Sequence, residues 1–294
     1  SGSLYVPLGR GKHPAVVLVH GSGPQTRWGT TRFIGDRLAR HGFACLIYDK
    51  RGSGASGGDW RTVGYEALAD DAIAGMRLLA ARPDIDAARI GVWGHSQGGF
   101  IAPLIATRYP QTAFIVAADS TAGTNEQQDI LRVQNLIGDQ DWSDADKRAA
   151  MALYRRFLAV AASGQGYAEL ESEIRSSGNA PWVRWLGIPP ADSWLWTWYP
   201  LVAHYDSRTY WRTVRVPVLL LYGERDELSD IDPSIRAISV LVRANGGPEV
   251  QAIILPDAPH ELHIAPKAGE AFFWWHIVAG YPSLGIDWLA ETAR

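Results

Sequence analysis

Ser96 sits in Gly94-His95-Ser96-Gln97-Gly98, with the apolar stretch Ile90-Gly91-Val92-Trp93 directly before it and a run able to form a helix, Gln97 to Arg108, directly after it. A serine hydroxyl is a poor nucleophile at neutral pH; it becomes effective when a turn exposes it and a base takes its proton. A strand that feeds a helix through one tight turn meets the first need. The serine is then strained at the sheet edge, the helix N-terminus points at it, and glycines must flank it because a Cβ there would strike backbone. The pattern alone is weak, because 30 Gly in 294 residues produce such matches by chance. Gly54-Ala55-Ser56-Gly57-Gly58 also matches, but Asp49 to Gly52 precede it and Asp59-Trp60-Arg61 follow, so it reads as a Gly/Ser-rich loop. Context selects Ser96 as the candidate nucleophile.

The base should be a histidine held in one tautomer by a carboxylate, and both should arrive at the same end of the sheet as the serine, just after strands. Asp226, in Gly223-Glu224-Arg225-Asp226, follows the apolar run Val216 to Tyr222. His260, in Pro256-Asp257-Ala258-Pro259-His260, follows Val250 to Leu255. His263 competes as base, and Glu224, Asp230 and Asp257 compete as acid; loop position after a strand favours His260 and Asp226. The chain order Ser, Asp, His is the α/β-hydrolase order of this triad.

These residues need a frame. The first half alternates apolar strands with helical patterns, the signal of a parallel sheet covered on both faces. Strands are expected at Ala15 to Val19, Ala44 to Tyr48, Arg89 to Trp93 and Ala113 to Ala118. Helices are expected from about Thr31 to Arg40 and along the stripe Tyr65, Leu68, Ala69, Ala72, Ile73, Met76 and Leu79, ending before Pro83. Pro103 lies too far into the helix after Ser96 for a first-turn position and predicts a kink or local break. From Gly123 to about Thr213 the alternation stops and only helical patterns remain, one of them starting at the cap-like Ser143-Asp144-Ala145-Asp146. Val216 to Tyr222, a helix from about Asp232 to Ala244, and Val250 to Leu255 then resume it. The expected division is a core of residues 1–122 and 214–294 with a helical cap, 123–213, over the sheet's carboxyl edge, where ligands bind in open α/β sheets.

Five motifs now stand in order: His20-Gly21-Ser22-Gly23-Pro24 after a strand, Asp49-Lys50-Arg51-Gly52-Ser53-Gly54-Ala55-Ser56, the turn at Ser96, the Gly-x-x-Asp ending at Asp226, and His260. With them the chain resembles an α/β-hydrolase-fold serine hydrolase of the esterase and S9/S33-peptidase-like group, from Pro14 to the C-terminal region. That resemblance implies a mostly parallel sheet flanked by helices with an inserted helical lid. It also implies an oxyanion hole formed by the backbone N–H groups of Ser22 and Gln97, and an acyl-enzyme mechanism with Ser96 as nucleophile, His260 as base and Asp226 as its orienting acid. The opening strands common in that fold are expected to be missing or rearranged. His20 is expected to shape a loop, His95 to point away from the site, the Asp49 to Ser56 loop to brace the oxyanion side, and Cys45 to lie in the core.

Composition narrows the function classes. A net charge of −3 and the lack of a Lys/Arg-rich block give no field for a nucleic-acid backbone. A membrane span needs about 20 apolar residues, far more than the aliphatic run Ala15 to Val19. One cysteine excludes an internal disulfide, and the eight histidines are scattered, so no metal and no cofactor is expected. The chain begins Ser-Gly-Ser with no apolar leader, which leaves a cytoplasmic or a secreted protein open, and no feature bears on the oligomeric state.

Trp182, Trp185, Trp194, Trp196 and Trp198 crowd the segment from Pro181 to Pro200. Mutual packing accounts for most of such a set; Trp182, Trp185, Trp194 and Trp198 are the candidates for the wall of a substrate pocket. The expected activity is hydrolysis of a small, uncharged carboxylic ester. A peptidase, with Glu126, Asp129, Glu169, Glu171 or Glu173 capturing an amine, and a thioesterase are alternatives of the same fold. A catalytically silent protein that binds ligands or partners is the alternative of another class.

Overall fold

Successive residues of the long strands face opposite sides of the sheet, and both sides are buried. Ala15, Val17 and Val19 join one apolar cluster while Val16 and Leu18 join another. That two-sided burial is why these stretches read as continuous apolar runs rather than as alternating ones.

The computed structural model describes residues 1–264, 267, 269, 270, 273 and 276–293. The chain opens with β1 (Gly2–Tyr5) and β2 (His13–Val19), followed by α1 (Thr30–Arg40) and β3 (Ala44–Tyr48). A short 3-10 turn at Trp60–Thr62 leads to α2 (Tyr65–Ala80), β4 (Ile85–His95), α3 (Gln97–Arg108) and β5 (Ile115–Ala118). Six helices come next: α4 (Asn125–Gly138), α5 (Asp144–Ser163), α6 (Tyr167–Ser176), α7 (Pro181–Trp185), α8 (Leu195–Val202) and α9 (Ser207–Trp211). The sheet then resumes with β6 (Val218–Gly223), α10 (Ile231–Ala244) and β7 (Gln251–Leu255), and α11 (Ser283–Thr292) closes the described chain.

The strands form one seven-stranded sheet in the order β1-β3-β2-β4-β5-β6-β7. β1 is antiparallel to β3 and every other pair is parallel. Residues of α1 and α11, including Leu38, Ile286 and Leu289, cover one face. Residues of α2, α3, α9 and α10, including Met76, Phe100, Trp211 and Ile238, cover the other. This is the α/β-hydrolase architecture expected from the sequence.

Two local expectations need correction. β1 was not foreseen: four residues on an edge give too little periodicity to read. The break expected at Pro103 does not occur, for α3 runs unbroken from Gln97 to Arg108. Burial of every residue from Gln97 to Ile105 supplies packing energy that outweighs the backbone hydrogen bond proline cannot make.

Helices α4 to α8 carry an apolar cluster of their own, built from Val133, Leu153, Phe157, Leu158, Leu170 and Trp182 among others. The two longest of them carry side-chain caps at their N-termini. Thr124 and Gln127 form a capping box on α4, and the Ser143 side chain accepts from the Asp146 N–H on α5. Among the described residues no helix is long and apolar enough to cross a membrane.

Candidate active site

Five neighbouring strands each release one functional-type residue just past their carboxyl ends. Ser22 follows β2, Ser96 follows β4, Asp119 follows β5, Asp226 follows β6 and His260 follows β7. Parallel strands bring these ends to one edge, so the sheet order itself gathers residues that are far apart in sequence.

Ser96 is held at φ 52° and ψ −117° between β4 and α3, a conformation that costs a non-glycine residue about 1 to 3 kcal/mol. The glycines around it are obligatory. A Cβ on Gly94 would lie 2.2 Å from the backbone carbon of Gly98, and one on Gly98 would lie 2.2 Å from the Val19 carbonyl oxygen. The serine N–H donates to the Ala118 carbonyl at 2.8 Å, which ties the turn to β5. The second Gly-x-Ser-x-Gly match has no such setting: Ser56 donates to the Asp49 carbonyl oxygen in a loop.

His260 bridges the other two groups. Its Nε2 lies 2.9 Å from Ser96 Oγ and its Nδ1 lies 2.9 Å from Asp226 Oδ1. The loops carrying His260 and Asp226 are pinned to each other by Arg225 N–H on the Ala258 carbonyl at 2.9 Å and Glu224 N–H on the Leu255 carbonyl at 2.9 Å. Asp226 Oδ1 also accepts from the Leu228 and Ser229 N–H groups at 2.8 and 3.1 Å. Burial pushes the Asp226 carboxyl up, but the hydrogen bond and charge of His260, with the Ser229 side chain and the Leu228 N–H, outweigh it and hold the group below the ordinary carboxylate range.

The competing residues lie elsewhere. His263 Nδ1 faces the Glu261 carbonyl at 2.9 Å, on the side of a different cavity. Glu224 accepts from the Asp257 N–H, and Asp257 pairs with Arg225. His20 bonds the Tyr48 carbonyl through Nε2, and burial pulls its ring down to about 4, so it is neutral. His95 departs from expectation. It does not point away, but lines the same cavity as Ser96 and places Nε2 3.0 Å from the His260 carbonyl oxygen, because the strained turn aims its ring at the β7 loop.

Sequence reasoning missed Asp119. It is fully buried at φ 49°, and its Oδ1 accepts from the Gly223 N–H at 3.0 Å. Burial first, and then the negative charge of Asp226, push its carboxyl well above the ordinary range. Its sequence signal was the one used for Asp226, a carboxylate just past a strand. Asp119, Asp226 and His260 bring ligand-type atoms within 4.8 Å of one another. A cation there would have to take His260 from Ser96 or Asp226.

Gly21 packs beside the serine: a Cβ on it would lie 3.4 Å from His95 Nδ1 and 3.6 Å from Ser96 Cβ. The Ser22 and Gln97 N–H groups make no hydrogen bond among the described residues. That of Gln97 opens α3, where no intrahelical partner exists.

A cavity of about 750 Å³ opens above Ser96 and His260. Trp194, Trp198, Phe157 and Tyr199 line it, together with Asp129 and Arg132. Trp182 and Trp185 do not. Trp182 is buried among α4 to α8 with its Nε1 donating to Asp146 at 3.1 Å, and Trp185 stacks edge-on to Trp142 at 5.2 Å. Each satisfies its large apolar ring within the helical layer, so neither faces a ligand.

Comparison with known proteins agrees with this frame. The profile of the family described as serine aminopeptidase, S33, matches residues 11–159. Esterase EstD of Thermotoga maritima is 25% identical over an alignment of 268 positions that covers 88% of this chain and 57% of that protein, so the chain spans little more than half the relative's length. Among solved structures, the α/β hydrolase GrgF of Penicillium sp. sh18 superimposes with a TM-score of 0.60 at 18% identity, covering 99% of this chain and 93% of that one. Est1E of Butyrivibrio proteoclasticus, solved with ferulic acid bound, gives a TM-score of 0.60 at 15% identity over 99% and 92% of the two chains. At these identities the structural likeness speaks for the fold.

Proposed function

From a chain that belongs to the serine aminopeptidase S33 family and folds as an α/β hydrolase, we infer a serine hydrolase that cleaves carboxylic esters through an acyl-enzyme. The observation that carries the reading is the continuous line from Ser96 Oγ through both nitrogens of His260 to Asp226 Oδ1, with 2.9 Å at each step, opening into the cavity. His260 takes the Ser96 proton as the oxygen attacks the ester carbonyl. The Ser22 and Gln97 N–H groups receive the oxyanion, each such donor contributing about 3 to 4 kcal/mol to the transition state. His260 then gives the proton to the departing alcohol, and water repeats the sequence on the acyl-enzyme. Asp226 keeps Nδ1 protonated and balances the imidazolium.

In this reading residues 123–213 are a cap on a core of 1–122 and 214–294, and Trp194 and Trp198 form the wall against which the substrate lies. The wall is apolar and aromatic, as an uncharged ester requires. The peptidase alternative needs a carboxylate free to bind an amine. Of Glu126, Asp129, Glu169, Glu171 and Glu173, Asp129 alone lines the cavity, and Arg132 already faces it at 3.8 Å. Glu261 also lines the cavity, so the choice between ester and aminopeptidase action falls to the substrate comparison below. A silent binding protein would have no use for a nucleophile-type serine kept in a costly conformation.

Turnover of short p-nitrophenyl esters, acyl-CoA thioesters and aminoacyl anilides by the same preparation tests the assignment. The esters are expected to be the best substrates by kcat/KM; a preference for the anilides would move the activity to the peptidase alternative, and a preference for acyl-CoA to the thioesterase one.

A further inference from the structure

Lys50 is buried, with 3% of its surface exposed, in the loop after β3. Its Nζ donates to the Gly21 carbonyl at 2.9 Å and to Gln97 Oε1 at 2.6 Å, and it lies 5.4 Å from the centroid of the Trp60 ring. No carboxylate among the described residues forms an ion pair with it. Its neighbour Asp49 is engaged by Arg27 and by the Ala55 N–H. An ammonium group buried without a counter-charge is expensive, and burial pulls this one down to about 7. Loop shape alone does not explain such a choice, because any residue of similar length would fill the space.

The two acceptors of Lys50 are the carbonyl of Gly21, the residue before Ser22, and the side chain of Gln97, and it is Ser22 and Gln97 that carry the free N–H groups. The Gly21 carbonyl and the Ser22 N–H are opposite ends of one peptide group. A cation drawing on the carbonyl oxygen polarises that peptide and strengthens its N–H as a donor, since bonds in a hydrogen-bonded chain reinforce one another in a low-dielectric interior. The second bond fixes the Gln97 side chain at the start of α3, so that one ammonium ties together the two segments that carry the donors. The Tyr65 hydroxyl interacts with Gln97 and donates to Asn125 at 2.9 Å, which steadies Gln97 from the other side.

We propose that Lys50 is a positioning residue of the oxyanion hole, holding both donor peptides and delivering its positive charge to the oxyanion through the Gly21–Ser22 peptide group. The proposal rests on the ester-hydrolase reading above. It makes Lys50 act differentially, because negative charge at that place exists only in the tetrahedral species and not in the bound ester.

The test compares the wild type with Lys50→Met. On a p-nitrophenyl ester kcat is expected to fall about 10- to 100-fold, less than for loss of a direct donor, with KM held within about twofold. Affinity for a trifluoromethyl ketone, which forms an oxyanion on Ser96, is expected to fall by the same factor. Ester binding measured in a Ser96→Ala background should be unchanged by adding Lys50→Met. A general structural loss would instead weaken the ground-state and oxyanion complexes together, and that result would overturn the proposal, as would an unchanged kcat. Lys50→Gln keeps a donor without the charge and is expected to fall between the two; it carries the same comparison if Lys50→Met does not fold. A wild type that neither turns over esters nor reacts at Ser96 would remove the underlying reading and the proposal together. An active wild type with indifferent Lys50 variants would remove the proposal alone.

Discussion

The carboxyl edge of the sheet and the helical layer from α4 to α8 hold their functional side chains by different means. At the edge, backbone does the holding: Ser96 is locked by a turn that tolerates no Cβ on Gly94 or Gly98, and the loops of Asp226 and His260 are bonded main chain to main chain. In the layer, side chains hold one another. Trp194 and Trp198 pack edge-on to Trp60 at 5.0 and 6.0 Å, while Trp182 and Trp185 serve the layer's own interior. Backbone demands leave local marks in a sequence, such as a glycine two residues either side of a serine. Side-chain packing is decided by what lies opposite, and a tryptophan at one helical position resembles a tryptophan at another.

If the edge is the chemical half, changes there should abolish turnover and leave binding. Ser96→Ala and His260→Ala are each expected to lower kcat by about 10⁴-fold or more on a p-nitrophenyl ester, whereas His263→Ala should leave it within about twofold. The reverse outcome for the two histidines would move the base. Asp226→Asn, which leaves His260 in place but unsettles its tautomer, is expected to lower kcat about 10³- to 10⁴-fold, read from the same assay. A variant retaining full activity would shift the acid to Asp119.

The layer should respond in a different currency. Trp198→Ala is expected to raise KM about 10-fold with kcat changed little, while Trp182→Ala should leave KM alone and lower stability by about 3 to 5 kcal/mol in urea unfolding. A KM effect from Trp182 would erase the distinction between pocket wall and layer interior. The smallest effect concerns His20, whose ring is pulled to about 4 from an ordinary 6.5. The unfolded chain then binds more protons between those values, so His20 makes stability rise with pH across that window. His20→Asn should flatten the rise in denaturation midpoint between pH 4.5 and 6.5; an unaltered slope would show that His20 titrates normally.

The legibility of the chain follows the same division. Both-sided burial made the strands β2 to β6 readable as apolar runs; the ends of β4 and β6 located Ser96 and Asp226, and the end of the more exposed β7 located His260. Asp119 obeys the same rule and was passed over, because its meaning comes from Asp226 arriving from a strand released a hundred residues later. Lys50 read as part of a bracing loop, since nothing local reveals that its partners are Gly21 and Gln97. The four pocket candidates were chosen by residue type, and type does not say which face of a short helix meets the cavity; Trp194 and Trp198 meet it, and Trp182 and Trp185 do not.

The central claim is that Ser96 is a nucleophile made reactive by His260. Reaction with a fluorophosphonate, followed by mass spectrometry of the peptide carrying the adduct, measures this most directly. The account expects one adduct, on Ser96, lost in Ser96→Ala and slowed by orders of magnitude in His260→Ala; labelling that persists in Ser96→Ala, or an unreactive wild type, would contradict it.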